Sequence, residues 1–439
     1  MRSSPPGLLQ AGFAFLRQSA LLGAAVAPSA AGRLAWQELR NKLEAFELYQ
    51  RAVPLGSGPA PAGEAGDGGA LAAAVERARR LGPYRGVWAL EGLGHHWADA
   101  AIRRWPDGPG RPAWPQRGGG AAAPRRLLDA VTAPGLPEDS LLALHTGLGL
   151  ALAEQALDAL PPRPAPAELR HGLARFVALC RESSRPGYAA AAIEGLGLVA
   201  RTLRPGLVTA AGEQLARLDD GGRTTEEGGA AADGHGQLVA TFWHGVGRAL
   251  YFLPSNAPPP CSAPWRAIGM ARREPPHAVG RDNAMSGLVW ALTLVNLRHP
   301  EVLAALLSHH SPAAAECGPM ADGISSAIAL WHHLAPADPW LAAFLRWRPL
   351  PATGRAAARW ERLVTAPCAA ALGAEGRRLR QENRLGELFY CRRGGAPAAP
   401  PDLGGWDAAA DPREPSPRAS AARWAAGGAP VSGRAGGAP

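Results

Sequence analysis

An all-α fold of repeated helical hairpins is what this sequence predicts, on three grounds. A polar or acidic residue, then glycine, then an aliphatic residue recurs six times: at Glu91-Gly92, Thr146-Gly147, Glu194-Gly195, His244-Gly245, Ser286-Gly287 and Asp322-Gly323. The lead glycines are 55, 48, 50, 42 and 36 residues apart, the period of one supersecondary unit copied along a chain. Between breaker-rich stretches the apolar residues keep helical spacing. Leu169, Leu173, Phe176, Val177 and Cys180 form a single stripe, and strand-like alternation is almost absent. Such hairpins either close into an α/α toroid or extend as a curved solenoid.

Each element has a local reason. Residues 1–53 read as an amino-terminal helical segment, with Leu39, Leu43, Phe46, Leu48 and Tyr49 mostly at helical spacing before Pro54. A Gly/Pro/Ala-rich linker over 54–70 leads into an array of about six hairpins over 71–350. In each, a glycine-bearing helix precedes a second one, such as Gly206–Leu218. Asp282 or Asn283 is suited to cap the helix carrying Leu288, Leu292 and Val295, and Pro300 to open the next. A helical pair over 351–393 caps the array, and the Ala/Gly/Pro/Arg-rich residues 394–439 read as a disordered tail. Glycine costs up to about 1 kcal/mol against alanine inside a helix, so its recurrence points to close approach of a neighbouring backbone.

Composition excludes several functions. The 439 residues carry a formal charge of +9, which alone would suggest nucleic acid. Lys42 is the only lysine, however, and the arginines do not interleave with aromatics on one element, so nucleic-acid binding is not expected. The five cysteines (Cys180, Cys261, Cys317, Cys368, Cys391) form no CxxC pair, which argues against a zinc ribbon and for reduced thiols in a cytoplasmic protein. Arg17 and Gln18 split the apolar run from Gly7 to Ala27, and Pro28 would follow the Ala25-Val26-Ala27 cleavage-like site, so a secretory signal is disfavoured. No window is apolar enough to span a membrane.

The candidate chemistry lies beside the glycines. Glu91, Glu194, His244 and Asp322 would share a central cavity in a ring and act there as acid–base groups; in an open array they would lie in a row, each capping or bonding locally. Glu91, His95 and Asp99 recur at i, i+4 and i+8, yet neither this face nor the pairs His95-His96, His309-His310 and His332-His333 matches a metal motif. No metal or other cofactor is predicted, and phosphate-loop, nucleophile-elbow and dinucleotide signatures are missing. The 14 tryptophans read as packing residues, with Trp88, Trp243 and Tyr251 as candidates for lining an apolar-ligand site.

The stretches YRGVWALEGLGH from Tyr84, Tyr188 to Gly197, and TFWHGVGRALYFLP from Thr241 resemble a bacterial family of unknown function encoded beside enediyne polyketide synthases, whose members repeat an aromatic-x-Glu/His-Gly-x-Gly core. The likeness spans about Tyr84 to Leu307, is most specific from Trp243 to Pro254, and implies no assigned reaction. Trp243-His244-Gly245 is also similar to the repeat turns of lanthionine cyclases, which are helical toroids, but Cys261, Cys317 and Cys368 stand outside the contexts of their zinc ligands. The expected function is a non-catalytic binding or accessory protein in polyketide-type biosynthesis, with an apolar small molecule or a biosynthetic protein as partner. The alternatives are an α/α-barrel enzyme and a helical scaffold for protein partners.

Overall fold

A computed structural model describes residues 29–56, 67–103, 136–221, 237–253, 264–309, 314–350 and 354–391, with isolated positions before residue 29. All of these belong to the compact unit Met1–Gly394; the unit Gly395–Pro439, where the tail was placed, lies outside the described residues. So do most of the amino-terminal apolar run and residues 57–66 of the expected linker.

The described residues form helices and no strand. In chain order they are α1 (Ala30–Gly56), α2 (Asp67–Arg79), α3 (Pro83–Arg103), α4 (Glu138–Asp158), α5 (Pro166–Glu182), α6 (Ala189–Leu203) and α7 (Val208–Gly221). There follow α8 (Gln237–Phe252), α9 (Pro264–Arg273), α10 (Ala278–Val295), α11 (Pro300–His309), α12 (Ala314–Leu334) and α13 (Pro339–Arg346). A last helix, α14, spans 355–381 and widens into π turns at Glu361–Thr365 and Ala371–Glu375 before a 3-10 turn, Leu385–Phe389. Gly373 leaves helical geometry inside this stretch, so two helical pieces meet there at a kink. Helix α1 runs two residues past Pro54.

The glycine motifs occupy α3, α4, α6, α8, α10 and α12, and each of these packs on the next. They differ in burial from the helices between them. Helix α8 is buried continuously from Leu238 to Tyr251, and α4 from Ser140 to Ala153, as befits helices enclosed on every side. On α5 burial is confined to one face, supplied by the stripe Leu169, Leu173, Phe176, Val177 and Cys180 with Leu179 beside it. Helices α8 and α10 run in the same sense. Trp243, in the first half of α8, meets His277 and Gly280 at the start of α10, and Tyr251 near its end bonds Asn296 at the end of α10.

Backbone contact between these helices is why glycine recurs. A Cβ at Gly245 would fall inside the Glu194 carbonyl oxygen of α6, and one at Gly197 inside the Phe242 carbonyl of α8. Gly247 meets Ala284 of α10, and Gly287 meets His244 of α8, in the same reciprocal way. No rotamer change relieves a clash between a Cβ and a carbonyl; the helices themselves must separate.

The ends of the helices correct one expectation. Asp282 and Asn283 lie inside α10, whose cap is His277: its Nδ1 accepts the Gly280 N–H at 2.9 Å. An imidazole nitrogen does there what a carboxylate commonly does. Asp338 caps α13 through the Trp340 N–H (3.0 Å) and takes the Trp331 indole N–H (2.8 Å), fastening α13 to α12.

In α4, buried His145 links its own helix to the start of α6. Its Nδ1 lies 2.7 Å from the Leu141 carbonyl and its Nε2 accepts the Arg185 N–H at 3.1 Å, which fixes a neutral Nδ1–H tautomer. Burial is the main reason its pKa falls from the ordinary 6.5 to about 4.

Two outcomes are expected. Gly245→Ala should lower stability by about 3 kcal/mol or more, the upper end of overpacking. Gly206→Ala, where nothing lies within 4 Å, should change it by less than about 0.5 kcal/mol in the same urea denaturation. For His145, the unfolded imidazole takes up a proton near 6.5 and the folded one only near 4, so stability should fall between those pH values by about 3 kcal/mol. Urea midpoints across that range, with imidazole NMR confirming a neutral His145 at pH 6, measure this.

Candidate functional site

Three of the four residues singled out beside the glycines meet in the interior. Glu91 comes from α3, Glu194 from α6 and His244 from α8, and the group that joins them is Arg248 of α8. Its Nη2 bonds Glu91 Oε1, its Nη1 lies 3.1 Å from Glu194 Oε2, and His244 Nδ1 lies 3.3 Å from Glu194 Oε1. Glu194 and His244 are fully buried, and Arg248 and Glu91 are 3% and 7% exposed. The Trp290 ring lies 5.2 Å from the guanidinium carbon and 5.6 Å from the His244 ring, and Phe389 of the last 3-10 turn closes over both aromatic groups.

The electrostatics follow from this pairing. Burial opposes the charge of Arg248, but the Glu91 and Glu194 carboxylates overcome it and raise the guanidinium pKa. Burial likewise opposes the charge of Glu194. Arg248 and His244 outweigh it, so the carboxyl is held below its ordinary value of 4.5. Both carboxylates are thereby committed to one cation.

Asp322 does not join them: it accepts the Ser286 hydroxyl at 3.1 Å, a bond between two adjacent repeats. A second polar chain lies nearby instead. The Tyr49 hydroxyl of α1 bonds His95 Nδ1 of α3, and His95 Nε2 lies 3.1 Å from Glu154 Oε2 of α4, whose side chain is 39% exposed. Burial, then the Glu91 and Glu154 charges, raise the Tyr49 pKa well above its ordinary value, so this is a neutral phenol.

A third network seats α1. The amine of Lys42 lies 3.1 Å from Glu38 Oε1 and 3.9 Å from the centre of the Tyr251 ring, and burial lowers its pKa. Asn41 donates to Asn296 at 2.8 Å, Asn296 donates to Tyr251 at 2.8 Å, and Arg298 reaches Glu44 over the Tyr84 ring. The chain's one lysine is thus a fastener of its amino-terminal helix.

The aromatic candidates separate. Trp88 lines a cavity of about 20 Å³ together with Glu91, Thr146, Trp290, Trp331 and aliphatic neighbours. Trp243 packs against His277 and Gly280, and Tyr251 belongs to the α1 network, so neither lines that cavity. His332 and His333 border a smaller space of about 10 Å³ with Arg380, and burial, then Arg380, lowers both imidazole pKa values. Asp99 is partly buried on α3, and the side chains of His309 and His310 lie outside the described residues. No disulfide joins Cys180, Cys317, Cys368 and Cys391; Cys261 also lies outside the described residues. Among the described residues no helix is long and apolar enough to cross a membrane.

Comparison with protein-family models, curated proteins and solved structures finds no match to this chain.

Sequence reasoning passed over Arg248, yet a signal was present. Four residues beyond the pre-glycine position stand His95, Arg248 and Trp290 in three of the repeats, and all three line this region. Arg248→Met should cost about 3–5 kcal/mol, since two buried carboxylates would then face each other without a cation. Glu91→Leu and Glu194→Leu added to it should recover part of that loss. The pH dependence changes sign. In the wild type, Glu194 contributes stability above about 4.5 that is lost as pH falls through its lower folded value; in Arg248→Met, acid should stabilise. Chemical denaturation between pH 3 and 7 reads both.

Proposed function

We propose that this chain is a non-catalytic binding or accessory protein, acting in the cytoplasm on a polyketide-type biosynthetic route. One observation carries the non-catalytic part: the two buried carboxylates beside the glycines are spent on one arginine. Glu91 and Glu194 share Arg248 inside a closed interior, and a carboxylate held ionised by a buried guanidinium is a poor proton donor. The cavity beside them, about 20 Å³, is far below the roughly 300–1,000 Å³ of a drug-sized ligand site. The biosynthetic setting rests on the likeness of the Tyr84, Tyr188 and Thr241 stretches to the enediyne-associated family.

A specific arrangement favours a second reading, an acid–base enzyme. The Tyr49–His95–Glu154 chain couples a phenol, an imidazole and a partly exposed carboxylate, the order of groups used to move protons. It differs from the buried cluster in reaching the surface.

The two readings part in one experiment. Purified chain is mixed with a small-molecule extract of cells that make the polyketide product, then followed by native and product mass spectrometry. The accessory reading expects an apolar molecule bound and recovered unchanged. Conversion that Glu91→Gln or His244→Ala abolishes would refute it, and conversion lost specifically in Tyr49→Phe and His95→Gln would establish the enzyme reading.

A further inference from the structure

We propose that the outer face of α13 and the turn after it form a docking surface for an anionic lipid bilayer, engaged at the headgroup layer. The make-up of one continuous stretch carries this. From Pro336 to Leu350 every exposed residue is proline, alanine, tryptophan, leucine or arginine. Among the described residues four large apolar side chains stand exposed, and two of them, Trp340 (47%) and Leu350 (91%), belong to this stretch. Local structure explains the arrangement. Leu341 and Phe344 of α13 turn into the core, so Trp340, Ala343 and Arg346 fall on its outer side. Past the helix, the Trp347 ring packs 4.6 Å from the Trp360 ring, which pins the turn carrying Arg346 and Arg348 to the helix that opens with Arg355. Between Asp338 and Glu361 the sequence has four arginines and no acidic residue. Asp338 itself is buried and spent on the N–H groups of Trp331 and Trp340. Arg348 donates to the Leu345 and Trp347 carbonyls at 2.9 and 2.8 Å, which fixes its place and leaves its charge uncompensated. No carboxylate of the described residues pairs with Arg346, Arg348 or Arg355.

The chemistry of this face selects the partner. Exposed apolar side chains beside uncompensated arginines suit a surface that offers hydrocarbon and negative charge together, and an anionic bilayer offers both. Tryptophan rings settle at the headgroup level, and arginine keeps its guanidinium at the phosphates while its stem lies in the apolar layer. A peptide ligand needs a groove, and a side chain as open as Leu350 has no wall beside it. A nucleic acid would reward the arginines and stack on Trp340, but it would leave Leu350 and the alanines of α13 in water. Neither signal holds a protein at a membrane alone; charge attracts it and apolar insertion retains it.

The test is flotation of the purified full chain with two kinds of vesicle, phosphatidylcholine alone and phosphatidylcholine with phosphatidylglycerol in equal parts. The expected result is binding to the mixed vesicles only, weakening as salt is raised. Arg346→Gln combined with Arg348→Gln should reduce that binding about tenfold or more, and Trp340→Ser should reduce it as well. Leu203→Ser removes an exposed apolar side chain elsewhere and should bind as the wild type does. If Trp340→Ser does not fold, Leu350→Ser takes its place, since that side chain is almost wholly in solvent. No flotation with the mixed vesicles, equal flotation with both kinds, or undiminished binding by the arginine and tryptophan variants overturns the proposal. So does binding of a single-stranded oligonucleotide as tight as that of the mixed vesicles and lost in the same variants, which would assign the face to nucleic acid.

Discussion

Everything in this interior depends on how closely consecutive glycine-bearing helices approach. At Gly197 and Gly245, and again at Gly247 and Gly287, the bare α-carbon of one helix sits against the carbonyl of the next. Side chains normally hold helix axes 8–10 Å apart, and removing the Cβ at the crossing allows closer contact. The cost is intrinsic, because glycine weakens a helix. Dense packing over a long buried length offsets it, as the unbroken burial of α4 and α8 shows.

That close approach also sets where charge can be placed. Four of the residues before the lead glycines, Glu91, Glu194, His244 and Ser286, are carried to a helix crossing, where their carbonyls meet Gly147, Gly245, Gly287 and Gly323 in turn. In three of these positions the side chain is Glu91, Glu194 or His244, and a buried carboxylate must be paired. Arg248 meets that demand for two of them at once, because its planar guanidinium offers separate nitrogens to separate carboxylates. Asp322, which is only partly buried, accepts the Ser286 hydroxyl. The repeat thus presents one polar position many times, and the neighbouring helices decide what each copy bonds.

Much of this was legible beforehand, and particular residues show where legibility stopped. The stripe from Leu169 to Cys180 could be read because amphipathicity is a property of one helix alone. The demand at the glycines could be read because each carries its cost in its own helix. The cap of α10 could not: Asp282 has the better capping chemistry, but His277 sits where the chain enters the helix. Tyr49 was read as an apolar stripe residue, and it is one over most of its ring; only its hydroxyl tip meets His95. Trp243 and Tyr251 looked equivalent to Trp88, but only Trp88 faces the cavity, since direction around a helix depends on what lies opposite.

By itself, then, the sequence determined the all-α class, the places of the glycine-bearing helices and the polar position beside each glycine. These are set by periodicity and by local cost, which act within a few residues. The tertiary structure alone decided which polar groups meet. Arg248 and Glu91 stand 157 residues apart, and no local rule connects them. Their meeting depends on how several helices rotate about their axes as they pack, which follows from the summed shape of the interior rather than from any one segment.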